Sequence, residues 1–174
     1  MFNYYTGTIN KKSIKTQMQK LANLLSYKYK NITWLAKAMY AKKIDNKNEP
    51  DYYNSSLATL GDTVLKCILA EILFDQNKTK QEITLQKSEK ECNKKLHEID
   101  VKLKIYTFAY NDQFWFEEAI EAVKLSHTMP VYLLPNKKHE LYLEAIIGAI
   151  YKDKGINYCK KWYFNFLNCY NNKI

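Results

Sequence analysis

The chain has 174 residues and a mass of 20.6 kDa, which suits one domain with a single core and is too short for two comfortable ones. Hydrophobic residues make up 47% and charged residues 26%, an ordinary globular composition that excludes a disordered or fibrous class. Four Gly and three Pro are too few for an all-β protein with many tight turns, so the composition favours long helices joined by polar loops.

The chain is strongly basic, with a formal net charge of +9 and a pI near 9.2. Such a charge suits a polyanionic partner, either nucleic acid or an anionic membrane surface. All 27 basic residues are Lys, whereas a protein that grips phosphates in a bidentate manner would normally carry some Arg. Nucleic-acid binding and a solvated Lys-rich surface therefore both stay open on charge alone.

The cysteines indicate an intracellular protein. Cys67, Cys92, Cys159 and Cys169 show no CxxC or Cys/His metal spacing, so we expect reduced thiols rather than a disulfide framework. No run approaches 18 uninterrupted apolar residues, and the N-terminus lacks a signal-peptide pattern. We predict no membrane partner, while a cytoplasmic and an organellar (mitochondrial) location both stay open.

The first half of the chain predicts three helices and a loop. Apolar residues spaced three and four apart predict an amphipathic helix over 13–29. Asn31 is a suitable cap for a second helix over 32–43. Residues 44–53 are rich in turn formers and predict a loop. The most apolar segment, 54–74, predicts a central helix that is buried on most of its circumference.

The second half continues the helical pattern. It predicts further helices over about 83–96, 101–110, 114–125, 138–152 and 157–167. Pro130 and Pro135 bracket a non-helical connection, and Gly155 supplies a left-handed residue that ends a helix. With no convincing strand in the sequence, the predicted fold class is all-α.

Two of the apolar helices contain a carboxylate close to a glycine. Asp62 follows Gly61 within 54–74, and Glu144 shares one helical strip with Gly148. A glycine inside a helix costs about 1 kcal/mol relative to alanine, so each one indicates the close approach of another backbone. A lone buried carboxylate is costly unless it is paired, hydrogen-bonded or bound to a metal. We therefore expect the two carboxylates to meet across a helix-helix contact.

These residues resemble the two motifs of the ribonuclease III family. The signature helix of the family is similar to this chain's pattern Asn54, Leu57, Leu60-Gly61-Asp62 and Val64-Leu65. The second acidic motif of the family is similar to this chain's run Glu144-Ala-Ile-Ile-Gly-Ala-Ile-Tyr-x-Asp-x-Gly155. Weaker similarities are the segment 34–40, which resembles the Leu-rich opening helix of the family, and 87–110, which resembles its helix-turn-helix. The resemblance covers roughly 32–166.

The resemblance implies an all-α, ribonuclease III-like helical domain over 32–166. An extra amphipathic N-terminal helix lies within 1–31, and a tail follows over 167–174. We expect no separate double-stranded-RNA-binding domain, because the residues after Gly155 are too few to hold one. The implied activity is cleavage of double-stranded RNA with Mg²⁺, which two pairs of carboxylates on facing helices would hold.

Only two of the four implied metal ligands have a counterpart in this sequence. Asp62 and Glu144 each fill one position of a pair, and they are the candidate catalytic and metal-binding residues. The residue four before Asp62 is Ala58, and the residue three before Glu144 is Leu141, neither of which binds a cation. At a further position that is acidic in the family motif, this chain has Ser55. Mg²⁺ or Mn²⁺ is therefore expected if the protein is active, and no cofactor is needed otherwise.

We predict a protein that binds double-stranded or structured RNA, with endonuclease activity lost or weakened. It would act in RNA processing or as an inactive partner in an RNA–protein assembly. The alternative is an active, Mg²⁺-dependent double-stranded-RNA endonuclease with an unorthodox site at Asp62 and Glu144. Both carboxylates could instead have a purely structural role. Asp62 would then brace the helix near Gly61, and Glu144 would bond to polar groups of a neighbouring helix. A purely protein-binding module, the third class, predicts no salt-dependent affinity for duplex RNA.

The resemblance also implies a dimer through the helix 54–74. Family members insert an aromatic residue into the partner just before the Leu-Gly-Asp motif, and this chain has Thr59 there. We predict a homodimer or a heterodimer through this helix, and a contact through the helix 13–29 stays open.

Other candidate residues are less specific. His97, His127 and His139 have no recognisable catalytic spacing and are expected on the surface or in loops. Core packing is favoured over RNA stacking for the aromatic residues Tyr106, Phe108, Tyr110, Phe114, Trp115 and Phe116. Candidates for phosphate contact are the lysine pairs at 11 and 12, 42 and 43, 94 and 95, 137 and 138, and 160 and 161.

Overall fold

The computed structural model describes residues 11–44, 51–91, 93–112, 115 and 140–171. The predictions for 114–125 (except Trp115), for 130–135, for His127 and His139, and for the lysines at 137 and 138 lie outside these residues. The described part is mainly helical, which confirms the all-α class. Its elements are α1 (Lys11–Leu24), α2 (Thr33–Met39), β1 (Lys43–Ile44), β2 (Asp51–Tyr52), α3 (Ser55–Asp75), α4 (Lys80–Glu91), α5 (Asn93–Leu103), a 3₁₀ helix (Ile105–Phe108), α6 (Glu140–Lys154) and α7 (Ile156–Asn171).

Helix α1 ends at Leu24 rather than at residue 29. Ser26 adopts a φ of 50°, and the amide of Tyr27 donates to the carbonyl of Ala22 at 2.8 Å. This pairing across a left-handed residue is the Schellman closure of a helix. The turn returns Tyr27 to the core, where it is 4% exposed, so the predicted continuation to residue 29 was wrong.

Helix α2 is also shorter than predicted. The side-chain oxygen of Asn31 accepts a hydrogen bond from the amide of Thr33 at 3.1 Å, although Asn31 lies one residue before the N-cap position. The helix stops at Met39 because the carbonyl of Met39 accepts from the amide of Tyr110 at 3.0 Å. The two-residue strands β1 and β2 then pair antiparallel, and all of their residues except Lys43 lie in the predicted loop.

The segment after α3 divides differently from the prediction. The single helix expected over 83–96 corresponds to most of α4 and the start of α5. The expected helix over 101–110 corresponds to the end of α5 and the 3₁₀ helix. Lys104 ends α5 with a φ of 53°. The buried carboxylate of Asp100 accepts from the amide of Tyr106 at 2.9 Å, which holds the chain in the 3₁₀ turn.

The centre of the core is formed by α3 and α6. All residues over 143–150 are buried. Helix α3 buries one side through Leu65, Ile68 and Leu69, whereas its Phe74 is 72% exposed. The expectation that α3 would be buried around most of its circumference was therefore wrong, since an exposed stripe runs along its length.

The first and last described helices contribute to the same core. In α1, Met18 and Leu21 are fully buried, and in α7 the indole N–H of Trp162 donates to the carbonyl of Leu25 at 2.9 Å. Tyr170, near the end of α7, is 6% exposed. Among the described helices, none combines the length and apolarity needed to span a bilayer.

Candidate active site at a helix crossing

Helices α3 and α6 meet backbone to backbone at two glycines. A Cβ atom on Gly61 would lie 1.8 Å from the carbonyl oxygen of Glu144, and one on Gly148 would lie 2.3 Å from the carbonyl oxygen of Leu57. No side chain fits at such distances, so the expectation that the glycines mark a close approach is confirmed. The crossing places Glu144 against the residue that precedes Asp62.

Asp62 lies at the edge of this crossing and is bound by a lysine of its own helix. Its side chain is 30% exposed, and its Oδ2 atom lies 2.6 Å from Nζ of Lys66. An exposed ion pair of this kind adds little to stability, but it holds the full positive charge of an ammonium group next to the carboxylate. The spacing of four residues could have revealed Lys66 in the sequence, because side chains at this spacing are neighbours on a helix.

Glu144 lies deeper than Asp62. It is 8% exposed and stands between Leu143 and Ala145, which are both fully buried. An ionised carboxylate at such a position needs hydrogen bonds or a nearby cation to offset its lost hydration. Its burial therefore agrees with both interpretations of the sequence, a structural anchor and a remnant of a metal site.

Apolar side chains occupy the positions of the two missing ligands. Ala58, one turn before Asp62 on α3, is 1% exposed. Leu141, about one turn before Glu144 on α6, is partly buried and packs against the core. Within the described ranges, no group of three or more His, Cys, Asp or Glu side chains could hold a metal ion.

The residues present do not fit the metal centre that the family resemblance implies. Mg²⁺ requires a near-octahedral set of oxygen ligands and dehydrates reluctantly. Here one of the two remaining carboxylates bonds to an ammonium group, and two hydrocarbon side chains replace the others. The roles of Asp62 and Glu144 as catalytic and metal-binding residues stay predictions.

Sequence reasoning did not assign a role to Asp153, which fastens the turn after α1 to the end of α6. Its Oδ2 accepts from the hydroxyl of Tyr27 at 2.5 Å and from the amide of Lys30 at 2.6 Å. Its Oδ1 accepts from the amide of Asn31 at 2.7 Å. Asp153 belongs to the Tyr-x-Asp-x-Gly end of the second motif, and that position was the available signal.

The lysine pairs proposed for phosphate contact differ in their availability. Lys42 lies 2.7 Å from Asp112, and its hydrogen bond lowers the pKa of that carboxyl, helped by a second bond from Tyr40. Lys160 joins α7 to α3 through Glu71 at 2.9 Å and Asp75 at 2.7 Å.

Lys161 differs from its neighbour in the last of these pairs. It is exposed and makes no ion pair within the described part of the chain. Unlike Lys42 and Lys160, it therefore keeps its charge available for an anionic partner.

Packing explains some of the remaining candidates but not all of them. Tyr110 and Trp115 are buried with ring centroids 5.0 Å apart, which confirms packing for these two aromatic residues. His97 is half-buried. Cys67 and Cys159 are free thiols, and burial raises the pKa of Cys159 to about 12.

Comparison with known proteins identifies the family. The model of the ribonuclease III domain matches residues 55–155, a range that begins at α3 and ends just after α6. A ribonuclease 3 from Clostridium tetani is 30% identical over 157 residues, which cover 87% of this chain and 60% of the relative. A ribonuclease 3 from Caenorhabditis briggsae is 25% identical over 84% of this chain and 13% of its own length. The chain thus spans about 60% of the first relative and a small part of the second.

Solved structures agree with the fold. The nuclease domain of ribonuclease III from Campylobacter jejuni superposes with a TM-score of 0.64 at 24% identity, covering 86% of this chain and 94% of that one. In that structure, a region involved in dimer formation is structurally flexible. A second structure of the same domain gives a TM-score of 0.62 at 25% identity. Since the domain match covers more than half of the chain, the protein belongs to the ribonuclease III family.

Proposed function

We propose that this protein binds double-stranded or structured RNA without cleaving it efficiently, as a factor in RNA processing or as an inactive partner in an RNA–protein assembly. The loss of cleavage rests on one observation above all, the apolar side chains of Ala58 and Leu141 where further oxygen ligands are needed. A divalent cation would also have to displace the ammonium group of Lys66, which lies 2.6 Å from Asp62.

RNA binding is supported by a basic patch around Asp153. The patch consists of five exposed lysines that make no ion pair within the described part of the chain: Lys28, Lys30, Lys37, Lys152 and Lys154. Asp153 does not neutralise them through an ion pair, because its oxygens accept from a hydroxyl and two amides. A cluster of uncompensated lysines on one surface is the electrostatic footprint of a phosphate backbone.

The basic patch is held in place by aromatic side chains. Nζ of Lys37 and Nζ of Lys152 lie 4.7 and 5.5 Å from the ring centroid of Trp34. Nζ of Lys154 lies 5.3 Å from the ring centroid of Tyr158. Such contacts restrain long lysine side chains without removing their charge. The patch therefore spans the end of α6, the last turn of α2 and the turn before α2.

We further propose that dimers, homomeric or heteromeric, form through the exposed stripe of α3. The stripe is polar in its first half, where the hydroxyls of Thr59 and Thr63 bond to carbonyls one turn earlier at 3.0 and 3.1 Å. Phe74 provides an apolar group at its far end. A stripe of this composition is weakly self-complementary, which favours a partner that supplies the missing apolar surface.

A cleavage assay separates the two functions that the family allows. Purified protein is incubated with long duplex RNA and either Mg²⁺ or Mn²⁺, beside the Glu144→Gln variant. We expect no products from either protein. Products made by the natural chain and absent with Glu144→Gln would overturn the proposal and favour the active enzyme, because Asp62 and Glu144 both persist at the crossing.

A binding assay tests the RNA partner. We expect the affinity for duplex RNA to fall steeply with salt, since each lysine–phosphate contact releases a counterion. Lys37→Glu combined with Lys152→Glu should weaken binding by at least about tenfold. The same charge change at Lys15 and Lys20, exposed on α1 and outside the patch, serves as the control. Affinity that does not respond to salt, or equal losses in both variants, would contradict binding through the patch.

A further inference from the structure

A pocket with a volume of about 310 Å³ opens between the end of α1 and the last helix, outside the α3–α6 crossing. This volume is at the lower end of the range for small-molecule sites. The lining residues come from the α1 turn, from the end of α5 and from α7.

The walls of the pocket are aromatic and fixed. The rings of Trp162 and Phe166 stack with centroids 5.1 Å apart and planes inclined by 16°. The indole of Trp162 is held by its bond to the carbonyl of Leu25, and the hydroxyl of Tyr158 accepts from the amide of Lys28 at 3.1 Å. Because these rings are anchored, a flat guest would meet a preformed surface at little cost in side-chain entropy.

The charge around the pocket is positive. Its described lining contains Lys28 and Lys161 and no carboxylate. Three further ammonium groups stand over lining rings. Nζ of Lys154 is 5.3 Å from the centroid of Tyr158, and Nζ of Lys102 and Nζ of Lys95 are 4.8 and 5.8 Å from that of Tyr170. A guest that matches this pocket combines a flat apolar body with negative charge.

We infer that the pocket binds an unpaired nucleotide of RNA, with its base against the aromatic walls and its flanking phosphates on Lys28 and Lys161. Stacking on aromatic rings within a positive groove is how single strands are bound without dependence on sequence. The exposed amide of Asn165 can bond to a base edge. This inference rests on the proposed RNA binding, and Lys28 connects the two surfaces because it belongs to both the basic patch and the pocket.

The test compares a short blunt RNA duplex with the same duplex carrying a single-stranded extension of a few nucleotides. We expect the natural chain to bind the extended duplex about tenfold more tightly. Asn165→Trp, which fills the pocket from an exposed position, and Lys161→Glu should each remove this preference. Asn157→Trp, exposed on α7 outside the pocket, and Lys15→Glu on α1 are the matched controls and should keep it. A 2-aminopurine base in the extension should be quenched on binding to the natural chain and not to Asn165→Trp.

The outcomes separate this inference from the proposed function. If neither RNA binds, the proposed RNA binding fails, and the inference fails with it. If both RNAs bind equally to the natural chain, RNA binding stands and the pocket inference is overturned. A preference that survives both pocket variants would also overturn it. If an apolar peptide is the true occupant, it should bind to the aromatic rings of the pocket and its binding should not change in Lys161→Glu. That outcome would also overturn the inference.

Discussion

The close packing of α3 against α6 depends on two glycines, which have no Cβ atom. Gly61 and Gly148 each stand where a Cβ atom would meet a backbone carbonyl of the other helix. A backbone oxygen cannot rotate away as a flexible side chain can, so relief requires that the helices separate. Such a separation would disturb a segment that is buried throughout 143–150.

We expect Gly61→Ala to lower the free energy of unfolding by more than about 3 kcal/mol, because the added methyl group forces this separation. Gly155→Ala is the matched control. Gly155 has a φ of 78° with open space around the missing Cβ, so its cost is the left-handed strain alone, about 1 kcal/mol. Denaturant unfolding measures both variants, and equal losses would contradict the backbone contact.

Restoring the missing ligands should restore a response to metal. We expect Mn²⁺ to raise the Tm of a variant carrying Ala58→Glu, Leu141→Asp and Lys66→Ala by about 5 °C at a hundredfold excess over its Kd, because the ion binds the folded form alone. The natural chain and Lys66→Ala alone should not respond. A shift in the natural chain would show that two carboxylates suffice and would favour the active enzyme.

At the scale of elements, one carboxylate joins three segments. Asp153 at the end of α6 binds the turn after α1 and the residues before α2 through three hydrogen bonds. Hydrogen bonds to a charged group are worth more than neutral ones, and two of these donors are backbone amides with fixed directions.

We expect Asp153→Asn to destabilise the fold by about 2–4 kcal/mol, because an amide cannot accept all three bonds. Tyr27→Phe removes one of these bonds and should cost about 1–2 kcal/mol. The double variant should lose less stability than the sum of the two single losses, because both single changes affect the same Tyr27–Asp153 bond. Thermal unfolding of the four proteins gives this cycle, and strict additivity would speak against a shared network.

At this scale, the proposed dimer contact lies on the exposed stripe of α3. We expect Thr59→Phe to strengthen dimer formation, measured by analytical ultracentrifugation, because an aromatic group adds an apolar anchor to the polar first half of the stripe. Thr16→Phe is the control, since Thr16 is an exposed α1 threonine whose hydroxyl also bonds to the carbonyl one turn earlier, at 3.1 Å. Dimerisation strengthened equally by both would indicate general stickiness and not an α3 interface.

At the scale of the whole molecule, buried phenols make stability depend on alkaline pH. Burial raises the pKa of Tyr110 from 10.0 to about 12. Burial raises the pKa of Tyr163, and burial together with the bond to Asp153 raises that of Tyr27. The folded state favours the neutral phenol, so this stabilisation is complete below the unfolded pKa and is lost as pH rises through the folded one.

We therefore expect the free energy of unfolding to fall above pH 10, by about 1.4 kcal/mol per pH unit for each such tyrosine. Tyr110→Phe should make the decline shallower between pH 10 and 12, since it removes one titrating group. Denaturant unfolding at a series of pH values measures the slope. An unchanged slope in Tyr110→Phe would contradict a raised pKa at this residue.

The sequence alone determined the helical class, the two acidic helices and their contact. Periodic apolar residues report local helix formation, and Gly61 and Gly148 stand out because glycine is unfavourable inside a helix unless another backbone comes close. The replacement of two ligands by Ala58 and Leu141 was likewise legible once the motifs were recognised. Helix ends were less predictable, because Tyr27 and Tyr110 redirect the chain through contacts with distant segments.

Tertiary structure alone decided which side chains from distant segments share a site. The bonds of Asp153 to 27–31 and the pocket built from the α1 turn, α5 and α7 join residues more than a hundred positions apart. No periodic pattern encodes such neighbours, because they depend on how helices cross and on where each turn ends. The lysines that carry the proposed RNA contacts were visible as charge in the sequence, but only the fold separates Lys161, which remains available, from Lys160, which two carboxylates already bind.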